Sequence, residues 1–135
     1  MNLGDVMDEL GTALETIDGL RVFPYWADRV TPPAAIVAWP DPVTYDATMA
    51  RGADQMTVPV IVLVGRFDAR STRDRLAIYL DGTGASSVKA VLEAAEYTAC
   101  DSVRVASATV DSYSVAAVDY LGAEFSLDIF GTGGA

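Results

Sequence analysis

Few of the side chains that do chemistry occur in this chain. It contains no histidine and a single cysteine, Cys100. Imidazole-based triads, HExxH zinc sites and histidine proton shuttles are therefore excluded. One thiol cannot build an internal disulfide, and no Cys/His cluster exists for structural zinc. With no histidine to activate it, Cys100 is expected to be a buried, inert thiol. Gly82-Thr-Gly84-Ala-Ser-Ser-Val-Lys89 looks at first like a phosphate loop. It misses the GxxxxGK[ST] spacing, because no lysine directly follows a glycine, and it joins two predicted helices instead of a strand to a helix. A GxSxG elbow is also missing. The carboxylate pairs Asp41/Asp46 and Asp68/Asp74 have the chemistry to hold Mg²⁺ or to act as acid and base, but their spacing is that of turn and capping residues. The sequence thus yields no catalytic residue, no metal site and no cofactor.

Contact surfaces are better represented. Arg66, Arg70, Arg73 and Arg75 form the one basic cluster. Asp68 and Asp74 interleave with it, which favours local ion pairs over a phosphate track, with a patch on an assembly surface as the alternative. Phe23, Tyr25, Trp26 and Trp39 sit among prolines. Rigid aromatics in such loops either anchor the loop to its own core or serve as contacts for a partner. Phe23, Tyr25, Trp26, Trp39, Arg66 and Arg70 are accordingly the candidate interface residues.

Charge is unevenly placed along the 135 residues, whose formal net charge is −10. The first twenty carry five acids (Asp5, Asp8, Glu9, Glu15, Asp18) and no base. Residues 105–135 carry four acids (Asp111, Asp119, Glu124, Asp128) and no base, while the middle is nearly balanced. An acidic chain is a poor general nucleic-acid binder, since that affinity comes from Lys and Arg on phosphates. No run approaches the roughly 20 apolar residues that span a bilayer. The first base is Arg21, so the basic and apolar regions of a signal peptide are not found, and a cytosolic assembly site is expected.

Periodicity supplies the elements that position these groups. Leu3, Val6, Met7, Leu10, Leu14 and Ile17 fall on one helical stripe, with Asp5, Asp8, Glu9 and Glu15 on the opposite face and Gly19 as the expected stop. That acidic face is either a solvated surface or a contact surface. Leu20–Phe23 and Ala34–Trp39 read as strands around a proline-rich loop, and Val43–Met49 begins another. Arg51–Asp54 reads as a turn. Met56–Arg66 is the longest apolar run: Val58, Val60, Val62 and Val64 point one way, Ile61 and Leu63 the other, so both sheet faces need cover. Helices on both sides, or helices on one side and another subunit on part of the other, would provide it. Pro59 is expected near that strand's start or at a bulge. Two helices follow, with Ser71 and then Ser86 or Ser87 as N-caps. Ser102–Val110, Tyr113–Val118 and Leu121–Phe130 return to strand. Asp119-Tyr120 is the expected hairpin turn, and 131–135 a flexible tail. Residues 1–130 make one domain of α+β class.

At this point the segments carry a resemblance. The N-terminal helix followed by Gly19-Leu-Arg-Val-Phe-Pro-Tyr-Trp26 and Thr31-Pro-Pro-Ala-Ala-Ile-Val-Ala38 resembles the small tail-completion proteins of long-tailed bacteriophages, with the tail terminators as nearest class. Arg51-Gly-Ala-Asp-Gln-Met-Thr-Val-Pro-Val-Ile-Val-Leu-Val-Gly-Arg66, Asp81-Gly-Thr-Gly-Ala-Ser-Ser-Val-Lys-Ala90 and Tyr120-Leu-Gly-Ala-Glu-Phe-Ser-Leu-Asp-Ile129 are similar to the same group. The resemblance implies a mixed, mostly antiparallel sheet with an N-terminal helix and one or two central helices packed on it, assembled as a hexameric ring in the virion neck. Such a ring caps the tail tube, halts its polymerisation and offers a surface to the head's connector or head-closure protein. DNA passes through its lumen without specific binding, no membrane is involved, and no catalytic residue is implied. Asp5, Asp8, Glu9 and Glu15 would then line that lumen, repelling DNA, or lie outside and keep the oligomer soluble. Another neck component, or a small acidic domain that binds a host factor, is the alternative.

Overall fold

The computed structural model describes residues 2–23, 31–45, 53–66, 70–115 and 117–132, with the backbone alone for Val115 and Thr132. Helix α1 (Leu3–Leu14) begins where the Asn2 side chain accepts the Asp5 N–H at 3.1 Å, satisfying one of the donors that a helix start leaves open. Val6, Met7, Leu10, Ala13 and Leu14 are buried along its inner stripe. The helix stops at Leu14, earlier than the Gly19 expectation. Thr16 and Ile17 bond back three residues, to the Ala13 and Leu14 carbonyls, which tightens the chain out of α register. Gly19, at φ +77°, instead turns the chain into β1 (Arg21–Phe23).

Strands β2 (Ala34–Val37), β3 (Val43–Thr44) and β4 (Ala53–Arg66) follow, then α2 (Arg70–Leu80) and α3 (Val88–Ala94). The chain closes with the long hairpin β5 (Ser102–Val115) and β6 (Val118–Thr132). The sheet runs β1-β2-β4-β6-β5, with β3 on β4 as well. Only β1 and β2 are parallel, so the sheet is mixed and mostly antiparallel. The protein is an α+β domain with an N-terminal helix.

Several expected boundaries move. Asp119 and Tyr120 are not a turn: they pair with Ser114 and Tyr113, and the chain reverses between the paired Val115 and Val118, with Ala117 at φ 64°. No glycine or proline marks that turn, which is why alternation alone misplaced it. Gly131 and Thr132 belong to β6, paired with Asp54 and Ala53, so neither pair is tail or turn. Residues 51–52 and 133–135 lie outside the described residues. Ser71 is inside α2 and does not cap it, whereas Ser87 does cap α3, accepting the Ala90 N–H at 3.1 Å.

Pro59 sits mid-strand in β4, opposite Ser126 of β6, and not at a start or bulge. Its carbonyl accepts the Ala38 N–H at 2.9 Å, so its polar groups face the β2/β3 edge. Ala38 lies opposite Pro59, so the reciprocal bond to the Ala38 carbonyl is the one that proline lacks, and β2 ends there as the chain passes to β3 through residues 38–42. The β4 bulge occurs instead between Leu63 and Gly65.

The two faces of β4 differ as its sequence predicts. Val58, Val60, Val62 and Val64 enter the main core with Phe125, Leu127 and Ile129 of β6, under side chains of all three helices. Ile61 and Leu63 point to the other face and form a small cluster with Ile36, flanked by Phe23, Tyr113 and Tyr120. Among the described residues, no helix contributes to that second cluster. The sheet is therefore covered by helices on one face only.

Candidate functional site

The helix-free face of the sheet gathers most of the polar groups that the sequence left unassigned. Register places Thr57, Pro59 and Ile61 of β4 beside Asp128, Ser126 and Glu124 of β6, and Glu124 in turn beside Thr109 of β5. Asp41 reaches the same area, where its N–H donates to the Thr57 carbonyl at 2.8 Å. Asp41, Thr57, Ser107, Thr109, Glu124 and Ser126 line a shallow depression of about 190 Å³. At one end lie the half-buried rings of Tyr113 and Tyr120; towards the other, Arg104 approaches Asp128 at 3.8 Å. Tyr113 also packs close to Gly122, whose position leaves no room for a side chain. Burial raises the Tyr113 phenol above its usual range, and the negative charges of Glu124 and Asp111 push it the same way. Acids and aromatic rings thus form one continuous surface.

The acidic candidates of α1 lie in the helix layer, on the opposite side of the sheet from Glu124 and Asp128. The two acidic ends of the sequence do not merge. Asp5, Asp8 and Glu15 are exposed. Glu9 has a different job: its carboxylate accepts the Thr98 N–H and Ala99 N–H, both at 2.9 Å, and the Thr98 hydroxyl. These bonds hold the Glu9 carboxyl below its usual range, the Thr98 hydroxyl first among them. Glu9 is therefore a clasp between α1 and the segment after α3. Glu93 does likewise, accepting from Lys89 and from the Val105 N–H at 2.9 Å, with Lys89 the main cause of its lowered pKa. Sequence reasoning missed both clasps, since neither spacing nor charge announces backbone N–H partners ninety residues from Glu9 and twelve from Glu93.

Among the candidate interface residues, Tyr25 and Trp26 lie outside the described residues, as do Asp46 and Asp68. Phe23 packs on the small cluster, the anchoring alternative. Trp39 is 66% exposed, which suits a contact, and Tyr45, not singled out by the sequence, is 73% exposed. Arg66 ends β4 and Arg70 starts α2, both exposed. Asp74 pairs with Arg73 at 2.9 Å; among the described residues Arg66, Arg70 and Arg75 have no ion pair. The structure brings Arg70, Arg73 and Arg75 together on one helix.

Cys100 is buried, and its thiol is pushed up to about 11 by burial and by the nearby charges of Glu9 and Asp101. Tyr97 beside it is raised further by burial, while its hydroxyl donates to the Leu92 carbonyl at 2.6 Å. Such a protonated thiol is a poor nucleophile. Among the described residues, no three Cys, Asp or Glu side chains converge as a metal-binding group, and no helix is long and apolar enough to cross a membrane. What the arrangement does offer is surface: an acidic and aromatic sheet face on one side, and an arginine-bearing helix on the other. Neither the known family models nor the curated proteins give a match to the chain.

Proposed function

We propose that this protein is a non-enzymatic structural subunit of a phage neck, a tail terminator that acts as a homo-oligomeric, hexameric ring in the virion. In this role it caps the tail tube, stops its polymerisation and presents a joining surface to the connector or head-closure protein. DNA passes through the ring without specific contacts. The observation that carries the reading is the one-sided sheet. All three helices pack on one face, while the other keeps an apolar cluster with a charged and aromatic surround that a neighbouring subunit can cover. The five sequence segments that resemble tail-completion proteins agree with it. Asp5, Asp8 and Glu15, exposed on α1, remain the lumen candidates, where repeated carboxylates would repel DNA phosphates.

Light scattering coupled to size exclusion, followed by negative-stain imaging with and without purified tail tubes, tests the reading. The expected result is a ring of about six copies, alone or on tube ends. A strict monomer that never binds tubes overturns it.

A further inference from the structure

Helix α2 has two sides that its burial pattern separates. Thr72, Leu76 and Tyr79 face the core, so helical geometry turns Arg70, Asp74, Ala77 and Ile78 outward, with Arg73 and Arg75 on the flanks. Ile78, at 58%, is the most exposed of the large aliphatic side chains among the described residues. Asp74 is occupied by Arg73, which leaves a basic surface with one apolar residue at its C-terminal end.

The helix-free sheet face has the complementary composition. Tyr113 and Tyr120 provide half-buried rings, and Glu124 and Asp111 provide exposed carboxylates. We propose that the outer face of α2 in one copy docks on this sheet face of a second copy, with Ile78 on the two tyrosines and Arg70 and Arg75 on Glu124 and Asp111. Along the element axes the spacing matches; around the helix Arg70 and Arg75 stand about 140° apart, so Arg75 reaches from the flank. Arg70 and Ile78 are eight residues apart on a helix, roughly 12 Å. Tyr120 and Glu124 are four apart on a strand and on the same face, roughly 13 Å. Asp111, paired with Gly122, lies between them along the strand, as Arg75 lies between Arg70 and Ile78 along the helix.

The charges also select the symmetry. Two sheet faces brought together about a two-fold axis would set one net acidic surface against another, which is repulsive. Helix layer against sheet face is heterologous, and repetition of such a contact closes a ring or extends a filament. The acidic outer face of α1, in the same helix layer, does not suit the acidic sheet face, which limits the contact to α2. This inference rests on the self-assembling reading above and assigns its surfaces.

Two variants test it, each breaking one surface: Arg70→Glu with Arg75→Glu, and Glu124→Arg with Asp111→Arg. All four residues are exposed, and unchanged thermal melting checks that each variant folds. In sedimentation velocity, each variant alone is expected to lose self-association by at least tenfold. Mixed one to one, they present one wild-type surface pair and one charge-swapped pair, both complementary, and should co-assemble where neither variant does alone. Wild-type-like assembly of either variant, or a mixture that stays monomeric, overturns the proposal. A wild type that forms dimers or open chains, with both variants dissociated, supports the docking while removing the closed ring. A monomeric wild type whose Glu124 surface binds purified tail tubes overturns self-docking in favour of a foreign partner.

Discussion

Glu9 shows how a carboxylate that looks like one member of an acidic face can hold the fold. Its neighbours Asp5 and Asp8 are exposed at the start of the same helix, but Glu9 alone reaches Thr98 and Ala99. Hydrogen bonds to a charged acceptor are worth about 1.5–3 kcal/mol when shielded, and partial exposure reduces this to roughly 1 kcal/mol. Glu9→Gln is expected to lose about that much at neutral pH, measured by urea unfolding. The pH dependence follows from the direction of the shift. The folded carboxyl titrates below its ordinary 4.5, so its stabilisation is complete above pH 4.5 and disappears as pH falls through the lower folded value. The difference between wild type and Glu9→Gln should therefore shrink below about pH 4.5. A constant difference across that range would show that the carboxylate charge is not what the clasp uses. Charge reversal meant to test a lumen should use Asp5, Asp8 and Glu15 and leave Glu9 in place.

At the scale of elements, the β4–β6–β5 core depends on close backbone approach at Gly122. A Cβ there would lie 2.5 Å from the Val62 carbonyl oxygen, 3.0 Å from a Leu63 methyl and 3.2 Å from the Tyr113 ring. The nearest of these is backbone within the sheet, which cannot rotate away. Gly122→Ala is thus expected to destabilise by roughly 1–3 kcal/mol through overpacking, seen as a lowered urea midpoint with little change in slope. Equal stability would mean that β4 and β6 separate locally at little cost. In the sequence, Gly122 reads as a residue in an alternating strand. Its role is visible only once β6 is laid against β4.

For the whole molecule, the proposed assembly joins an arginine-bearing helix to an acidic sheet face, so it should respond to salt. Raising ionic strength from about 0.05 to about 0.5 M shortens the screening length from more than 10 Å to less than 5 Å. Self-association is expected to weaken by about tenfold over that range in sedimentation equilibrium. Association that strengthens with salt would point to apolar burial around Trp39, Tyr45 and the Tyr113–Tyr120 rings as its main source. The arrangement also changes the meaning of the net charge of −10. The N-terminal acids belong to the helix layer, while Glu124, Asp128 and Asp111 belong to the opposite sheet face. One layer thus carries both an acidic helix and a basic one.

The sequence by itself determined the local elements, because periodicity records which side of each element is apolar. The stripe of α1, the two-sided β4 and the inward series Ala123, Phe125, Leu127 and Ile129 were all legible for that reason, and the α3 cap was narrowed to Ser86 or Ser87 by residue type. The lack of histidine-based motifs is a matter of composition. Only the tertiary structure decided where these elements meet. Alternation does not say which strands pair, so the hairpin reversal between Val115 and Val118, the extension of β6 to Thr132 and the mid-strand position of Pro59 depended on register. Amphipathicity says that a face must be covered without saying by what, so the placement of all three helices on one side had to be seen in the fold. The candidate docking surface is illegible in the chain for the same reason. Arg70 and Glu124 are 54 residues apart, and their complementarity arises from the opposite layers on which folding places them.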